Sequence, residues 1–139
     1  VAKVGILGMG SGLEAGKSKN ETNVGDIELA KNKFLHTFHS FLDPQKSSTE
    51  DIEQTIIQLK NQGAEVIVAS EAYSVDNPEN EQKVIEIASN LQTCATGGYE
   101  ISQLYGLSSR TRTAVVNASL IPKMMETANM TENLFKKQK

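Results

Sequence analysis

A glycine-rich segment near the amino end contains the motif whose residue types most clearly indicate a chemical role. The run from Gly8 to Ser18 reads GMGSGLEAGKS and follows the apolar segment Val1–Leu7, which has the composition of a strand. After a strand, such a loop can wrap a phosphate with its backbone N–H groups while a lysine reaches the same phosphate. The sequence therefore offers a candidate nucleotide-binding loop, formed by Gly10, Gly12, Gly16, Lys17 and Ser18.

The spacing of this loop departs from both common phosphate-binding patterns. The pattern G-x-x-x-x-G-K-[ST], counted back from Gly16, places its first glycine at position 11, which is Ser11. The pattern G-x-G-x-x-G, counted from Gly8, needs a glycine at position 13, which is Leu13. Residues 18–23 have a polar, turn-like composition, whereas a P-loop opens directly into a helix. A flexible glycine-rich connection is therefore the alternative interpretation.

Two histidines could form half of a metal site. The apolar spacing of residues 26–42 predicts a helix that ends at Asp43 and Pro44. His36 and His39 are three residues apart and would share one face of that helix. No further histidine, cysteine or carboxylate joins them at a recognisable spacing. We favour solvent-facing histidines on an amphipathic helix and predict no metal site.

A helix, a strand and a second helix form the middle of the chain. Residues 52–59 repeat apolar side chains at helical spacing. Gly63 follows at the expected helix C-cap, because glycine adopts a positive φ at little cost. Residues 65–70 are largely β-branched without alternation, as in a strand buried on both faces of a parallel sheet. A second helix is predicted from Pro78 to about Leu91.

Two further elements complete the predicted fold. Residues 92–96 have the composition of a short strand, and a long helix runs from about Thr111 until Pro122 bends or ends it. The elements together predict an α/β fold, a layered sheet with mainly parallel strands flanked by helices. Glu71 and Ser74 follow the buried strand, at the carboxyl edge where parallel sheets bind ligands. Both are candidate ligand contacts, with a solvated loop as the alternative.

Composition excludes several classes of function. The chain has 139 residues, enough for one domain with a usable core. Its formal net charge of −3 argues against nucleic acid as a partner, because phosphate neutralisation needs clustered lysine and arginine. No apolar run approaches the ~20 residues of a membrane span. The one cysteine, Cys94, excludes an internal disulfide and favours the reducing cytoplasm.

Four blocks in the second half share their order and spacing with one protein family. They are LKNQGAEVIVA from Leu59, SVDNPENE from Ser74, GYEI from Gly98 and RTRTAVVNASLIP from Arg110. The chain thereby resembles the hydantoinase/oxoprolinase family, in the later part of its N-terminal, hydantoinase A-type region. The matching residues are Gly63, Ser74, Asn77, Pro78, Glu81, Glu100, Arg110, Thr111, Thr113, Val116, Asn117, Ala118 and Pro122.

This resemblance implies a parent enzyme that opens cyclic amides, such as hydantoins or 5-oxoproline, and couples the opening to ATP hydrolysis. It implies ATP and Mg²⁺ as cofactors, a small-molecule substrate, and an actin-like, ribonuclease H-related architecture. The Gly-Gly-Thr phosphate loops of the family are absent from this chain. The chain also departs from the family pattern at Asn80, Ser109, Arg112 and Ser119.

We therefore expect residues 1–139 to form one α/β domain of a longer enzyme, inactive alone. Residues 1–44 would supply the glycine-rich strand and loop plus a helix, and residues 45–139 the part that matches the family. Two alternatives stay open. One is a stand-alone nucleotide-binding module that uses Gly8–Ser18. The other is a non-catalytic interaction domain that pairs with a second copy or a companion domain.

The last matching block also suggests an anion site. Arg110, Thr111 and Thr113 at a helix start would combine a guanidinium group, hydroxyls and unpaired N–H groups, and Asn117 lies one turn further along. Equally, Thr111 or Thr113 could cap the helix while Arg110 pairs with Glu100. Residue spacing assigns no catalytic residue, because catalytic groups are recognised by their geometry.

Overall fold

The computed structural model describes residues 2–71, 78–98 and 107–120. The strands found there are β1 (Val4–Met9), β2 (Ile27–Ala30), β3 (Lys33–Leu35), β4 (Thr37–Leu42), β5 (Val66–Glu71) and β6 (Cys94–Gly97). The helices are α1 (Ala15–Thr22), α2 (Thr49–Gln62), α3 (Glu79–Asn90) and α4 (Leu107–Ser119). A short 3-10 helix at Gly12–Glu14 precedes α1.

Four of the strands form one parallel sheet in the order β4–β1–β5–β6. β1 lies inside the sheet and pairs with two neighbours, so that Met9 stands opposite Leu42 of β4 and opposite Glu71 of β5. β6 pairs with β5 along Cys94–Gly97. This confirms the predicted layered α/β fold with parallel strands flanked by helices.

Both faces of the sheet are covered, and β1 is buried along its whole length. Successive side chains of a strand point to opposite faces. Leu7 and Met9 pack in one core with α2 and α3. Val4 and Ile6 pack in a second core with α4 and the base of the β2–β3 hairpin. A strand with two buried faces has no need of alternating polar residues, which explains the apolar runs of β1 and β5.

Local hydrogen bonds set both ends of α2. Ser48 is the N-cap, and a capping box joins it to Asp51 in both directions. The Ser48 N–H donates to Asp51 Oδ2 at 2.9 Å, and the Asp51 N–H donates to Ser48 Oγ at 3.2 Å. Gly63 ends the helix with φ 125°, which confirms the predicted C-cap. The sequence therefore encodes this helix locally, before packing adds to it.

Residues 26–42 form three strands, so the predicted helix is wrong. β2 and β3 pair as an antiparallel hairpin, and Asn32 at its turn has φ 64°, a conformation that asparagine tolerates better than most residues. The Asp26 carboxylate closes the hairpin base by accepting hydrogen bonds from the Thr37 N–H at 3.0 Å and from His36 Nδ1 at 3.1 Å. β4 then pairs with β1, so long-range pairing overrides the helical spacing of the apolar residues.

The polar segment after the glycine loop is also a helix, α1, rather than the predicted turn. Its buried residues are Ser18 and Thr22, one turn apart, and each lies against a glycine of the β1 segment. A Cβ on Gly10 would stand 2.9 Å from Ser18 Cβ, and one on Gly8 would overlap the Thr22 hydroxyl. Composition gave no helix signal here because the buried face consists of hydroxyls instead of apolar side chains.

α4 begins at Leu107, earlier than the predicted start near Thr111, and ends at Ser119. Pro122, with its predicted bend, lies outside the described residues. β6 overlaps the strand that was predicted at 92–96. Across the described ranges, none of the helices combines the length and the apolar content that a membrane crossing requires.

The close approach of α1 to β1 predicts opposite effects for two glycine substitutions. We expect Gly8→Ala to lower the free energy of unfolding by about 1–3 kcal/mol, because the new Cβ meets the stiff, β-branched Thr22. We expect Gly16→Ala to raise it by up to about 1 kcal/mol, because nothing lies within 4 Å of that Cβ and alanine favours the helix. Urea unfolding measures both, and equal effects would contradict the proposed packing.

Candidate functional site at the carboxyl edge of the sheet

The carboxyl ends of the parallel strands bring separate loops to one edge of the sheet. Gly10 follows β1, Asp43 follows β4, Glu71 ends β5 and Gly98 follows β6. The chain moves from β1 to β4 on one side and then crosses to β5 on the other. Ligands of open α/β sheets bind at such a reversal, outside the carboxyl ends of the two strands. The crevice between the ends of β1 and β5 is therefore the candidate site.

The glycine loop is tied to the end of β4. Gly10 donates its N–H to the Leu42 carbonyl at 3.2 Å, and the Ser11 hydroxyl donates to Asp43 Oδ1 at 2.6 Å. Gly12 has φ +67°, and a Cβ built there meets nothing within 4 Å. Leu13 beside it is fully exposed. The loop thus has a fixed base at Ser11 and an open outer side at Gly12.

The Asp43 carboxylate gives this edge a negative charge. Hydrogen bonds from the Ser11 hydroxyl and, second, from the Gln45 N–H lower the pKa of Asp43 below its ordinary value. The group is therefore ionised at neutral pH. An anionic ligand at the loop would need a cation to offset this charge.

The residues of the predicted nucleotide loop are only partly brought together. Gly10 and Gly12 lie in the loop, whereas Gly16 lies inside α1 with open space around it. Lys17 is exposed, and the buried Ser18 packs under Gly10. The direct opening of the loop into a helix corrects the sequence-based expectation and makes the arrangement more similar to a phosphate-binding loop.

Glu71 is half-buried at the end of β5. Its Oε2 accepts a hydrogen bond from Asn80 Nδ2 at 2.8 Å. Its backbone N–H donates to Oε2 of the fully buried Glu81 at 2.8 Å. Burial raises the pKa of Glu71, and the hydrogen bond from Asn80 opposes part of that rise. The carboxyl group therefore takes up a proton at a higher pH than an exposed glutamate does.

Buried hydroxyls lie directly beneath this edge. Ser70 Oγ and Thr111 Oγ1 are 2.6 Å apart, and both residues are fully buried. A Cβ on Gly98 would meet Glu81 Oε2 at 3.5 Å and Ser70 Oγ at 3.6 Å, so these two polar atoms face that glycine at contact distance. The pair of hydroxyls attaches α4 to β5 and holds the β5 end in place.

The predicted anion site on the last block is described only in part. Thr111 lies inside α4 and bonds Ser70, whereas Thr113 and Asn117 are exposed. Because α4 begins at Leu107, its unpaired N–H groups precede Thr111, which corrects the idea that these threonines lie at a helix start. Arg110 is in the first turn of α4, but its side chain is outside the described part of the structure. Ser74, Asn77 and Glu100 also lie outside it.

The two histidines do not share a helix face. His36 pairs with Asp26 at the exposed hairpin base, whereas His39 lies in β4, half-buried beside Thr22. Within the ranges that the structure describes, no group of three or more histidine, cysteine, aspartate or glutamate side chains could hold a metal ion. The sequence-based idea of half a metal site is therefore replaced by two unrelated polar contacts.

Several residues of this edge were missed by sequence reasoning. The sequence pattern places Asp43 at the end of a helix and so does not indicate that it lies beside the loop after β1. The same pattern shows Ser70 only as the end of a strand. Glu81 is one of the family-matching residues but has no predicted role, although an acid in the first turn of a helix that follows a buried strand is an available signal.

Comparisons with known proteins identify the fold. No protein-family model matches the chain, and no curated protein matches it. Among solved structures, the crystal structure of an ATP-dependent caprolactamase from Pseudomonas jessenii is similar, with a TM-score of 0.62 at 18% sequence identity. The match covers 97% of this chain and 22% of that chain. The chain therefore shares its fold with about a fifth of a much longer enzyme.

The buried hydroxyl pair predicts strong coupling between two positions. We expect Thr111→Val to lower the free energy of unfolding by about 1–3 kcal/mol, because it leaves the Ser70 hydroxyl without this partner in a dry environment. The double variant with Ser70→Ala should cost much less than the sum of the two single variants. Urea unfolding of the four proteins tests this, and additive effects would show that the hydroxyls do not interact.

Proposed function

We propose that this chain is a domain of a larger ATP-dependent enzyme that opens cyclic amides. The observation that carries the proposal is the similarity of nearly the whole chain to part of an ATP-dependent caprolactamase, an enzyme named for a cyclic amide. The four sequence blocks that resemble the hydantoinase/oxoprolinase family support the same class independently. Hydantoins and 5-oxoproline are the substrates that this resemblance favours.

The glycine loop is the proposed binding site for the ATP phosphates. Its fit rests on the open Gly12, on the helix that follows, and on its place at the carboxyl edge. Backbone N–H groups of Ser11 and Gly12 and the charge of Lys17 would hold the phosphates. Because Asp43 is anionic, Mg²⁺ would have to accompany ATP, held mainly by phosphate oxygens and few protein groups. Bound ATP would supply the phosphoryl group that drives opening of a stable amide.

Glu71 is the proposed proton-transfer group of the same crevice. It ends β5, directly opposite Met9, where the ligand of an open sheet is expected. Its raised pKa brings it closer to neutral pH than an ordinary glutamate, which suits a group that exchanges a proton with a ring nitrogen or water. Asn80 and Glu81 would fix its position.

A stand-alone nucleotide-binding module is the second candidate function. The observation that favours it is the direct passage from the Gly10–Gly12 loop through the 3-10 helix into α1. The two functions differ in what the isolated chain can do. A module would bind nucleotide as its whole activity, whereas a domain of a hydrolase would also contribute to ring opening in the longer enzyme.

Nucleotide binding by the isolated chain is the first test. We expect calorimetry to detect binding of MgATP, and Lys17→Ala to weaken it roughly tenfold, or about 1.4 kcal/mol, through loss of one positive charge. Gly16→Ala is the matched control on the same helix, because open space surrounds that position. If the folded, unsubstituted chain binds no MgATP, the loop is not a phosphate-binding site.

Ring opening is the second test. We expect the isolated chain to show no ATP-dependent opening of hydantoin or 5-oxoproline, because it matches only part of the length of the similar enzyme. Product formation followed by chromatography, with phosphate release measured alongside, provides the readout. Robust turnover would overturn the expectation that the chain is inactive alone and would show a complete active site within 139 residues.

A further inference from the structure

α1 is held against the sheet by polar contacts. Its buried residues are Ser18 and Thr22, and both carry hydroxyls. They pack on Gly10 and Gly8 of the β1 segment, where no side chain intervenes. α1 therefore lacks the apolar stripe through which most surface helices are stabilised.

The helix also has little intrinsic stability. It spans eight residues, AGKSKNET, which include a glycine, an asparagine and a threonine. Isolated helices shorter than about 12–15 residues are marginal in water, so α1 depends on its docking contacts. Segments with few apolar contacts open more readily than the core around them.

A three-part hydrogen-bond chain connects α1 to β4. The Thr22 hydroxyl donates to the Ser18 carbonyl at 2.9 Å, and it lies 2.9 Å from His39 Nε2. The Thr22 hydroxyl can accept from a protonated Nε2 of His39 or donate to an unprotonated one, according to the tautomer of the ring. His39 is half-buried, and burial followed by the charge of Lys19 lowers its pKa.

We propose that α1 docks on β1 in a pH-dependent way: protonation of His39 weakens the docking, so that the helix, and the end of the glycine loop with it, leaves β1 more often. In the protonated ring both nitrogens carry a proton, so Nε2 donates to Thr22 and that contact survives. What opposes protonation is the partial burial of the ring and the charge of Lys19, which belongs to α1. Both costs fall when α1 moves away.

The charged groups around His39 support this assignment. α1 carries Lys17, Lys19 and Glu21, of which Lys19 acts on His39. β1 presents Gly8, which has no charge. The cleft that His39 and Lys19 line continues to Thr55 and Gln58 of α2, which are also uncharged. Protonation therefore adds a second positive charge beside Lys19, and none of the described residues that line this cleft is a carboxylate.

The direction of the pH effect follows from linkage. A lowered pKa in the docked state means that the undocked state binds more protons between that value and the ordinary histidine pKa of about 6.5. Docking is then strongest above about pH 6.5, and it weakens as the pH falls from there towards the lower pKa of the docked state. One proton can change the docking equilibrium by at most about tenfold per pH unit.

Amide hydrogen exchange measured by NMR tests the proposal on the isolated chain. Exchange rates of α1 amides, corrected for the intrinsic pH dependence of exchange, give an opening constant between about pH 7.5 and 5.5, on either side of the ordinary histidine pKa. We expect this constant to rise several-fold for α1 as the pH falls, while β1 amides change little. A pH-independent opening constant for α1 would overturn the proposal.

Three variants separate a histidine switch from general acid sensitivity. His39→Gln keeps an N–H donor for Thr22 without a titratable ring, so the pH dependence should disappear while docking persists. Lys19→Gln should make the α1 opening constant less dependent on pH, because the positive charge that repels protonated His39 is removed. His36→Gln is the matched control, since His36 lies at the hairpin base and should leave the α1 profile unchanged. An unchanged profile in His39→Gln would also refute the proposal.

The consequence for ligand binding rests on the proposed function and is tested separately. If the loop holds phosphate, MgATP should lower the α1 opening constant and should bind more weakly at pH 5.5 than at pH 7.5 in the unsubstituted chain, a range spanning the ordinary pKa of about 6.5. Exchange without nucleotide does not depend on that function. If the α1 opening constant depends on pH but the chain binds no nucleotide, the proposed pH-dependent docking stands and only the proposed phosphate-binding site is refuted.

Discussion

The in-register pairing of β1 with both β4 and β5 is the constraint on which the rest of the structure depends. It places Met9, Leu42 and Glu71 side by side, so the loops that follow them meet at one edge. It also buries β1 completely and divides its side chains between two cores. Helices cover both faces of the sheet because the strands carry apolar side chains on both faces. The register of β1 with its two neighbours thus determines which loops meet at the candidate site.

Most of the described buried polar side chains lie towards the carboxyl half of the sheet, and two, Thr93 and Ser119, lie near its other end. Val4, Ile6, Val66 and Val68 fill one core without a polar atom on their side chains. Near the strand ends the buried groups are Ser70, Thr111, Glu81, Ser18 and Thr22. Each buried polar group costs free energy unless it is hydrogen-bonded, so their clustering next to the candidate crevice marks a part of the molecule shaped by more than stability.

The structural similarity concerns the fold, whereas the sequence blocks concern particular residues. The blocks cover the second half, whereas the structural match extends over 97% of the chain, including the glycine loop and the hairpin. Glu81 and Thr111 belong to the matching residues, and the structure gives both a contact beneath the carboxyl edge. Arg110 and Ser74 stay predictions. Contacts from α3 and α4 to the end of β5 therefore give a physical role to residues that the linear pattern only enumerates.

Sequence alone determined the elements whose signals are local: the cap at Gly63, the buried β-branched strand β5, the helix α3 and the layered α/β class. It failed at residues 26–42 and at α1, where the deciding contacts come from elsewhere in the chain. There β1 supplies the pairing partner for β4, and β1 with the residue after it supplies Gly8 and Gly10, on which Thr22 and Ser18 pack. Apolar periodicity cannot encode a helix that docks through hydroxyls, nor a strand whose partner lies about thirty residues away (Gly8 against Phe41). Only the tertiary structure could place Asp43, Glu71 and the glycine loop at one edge.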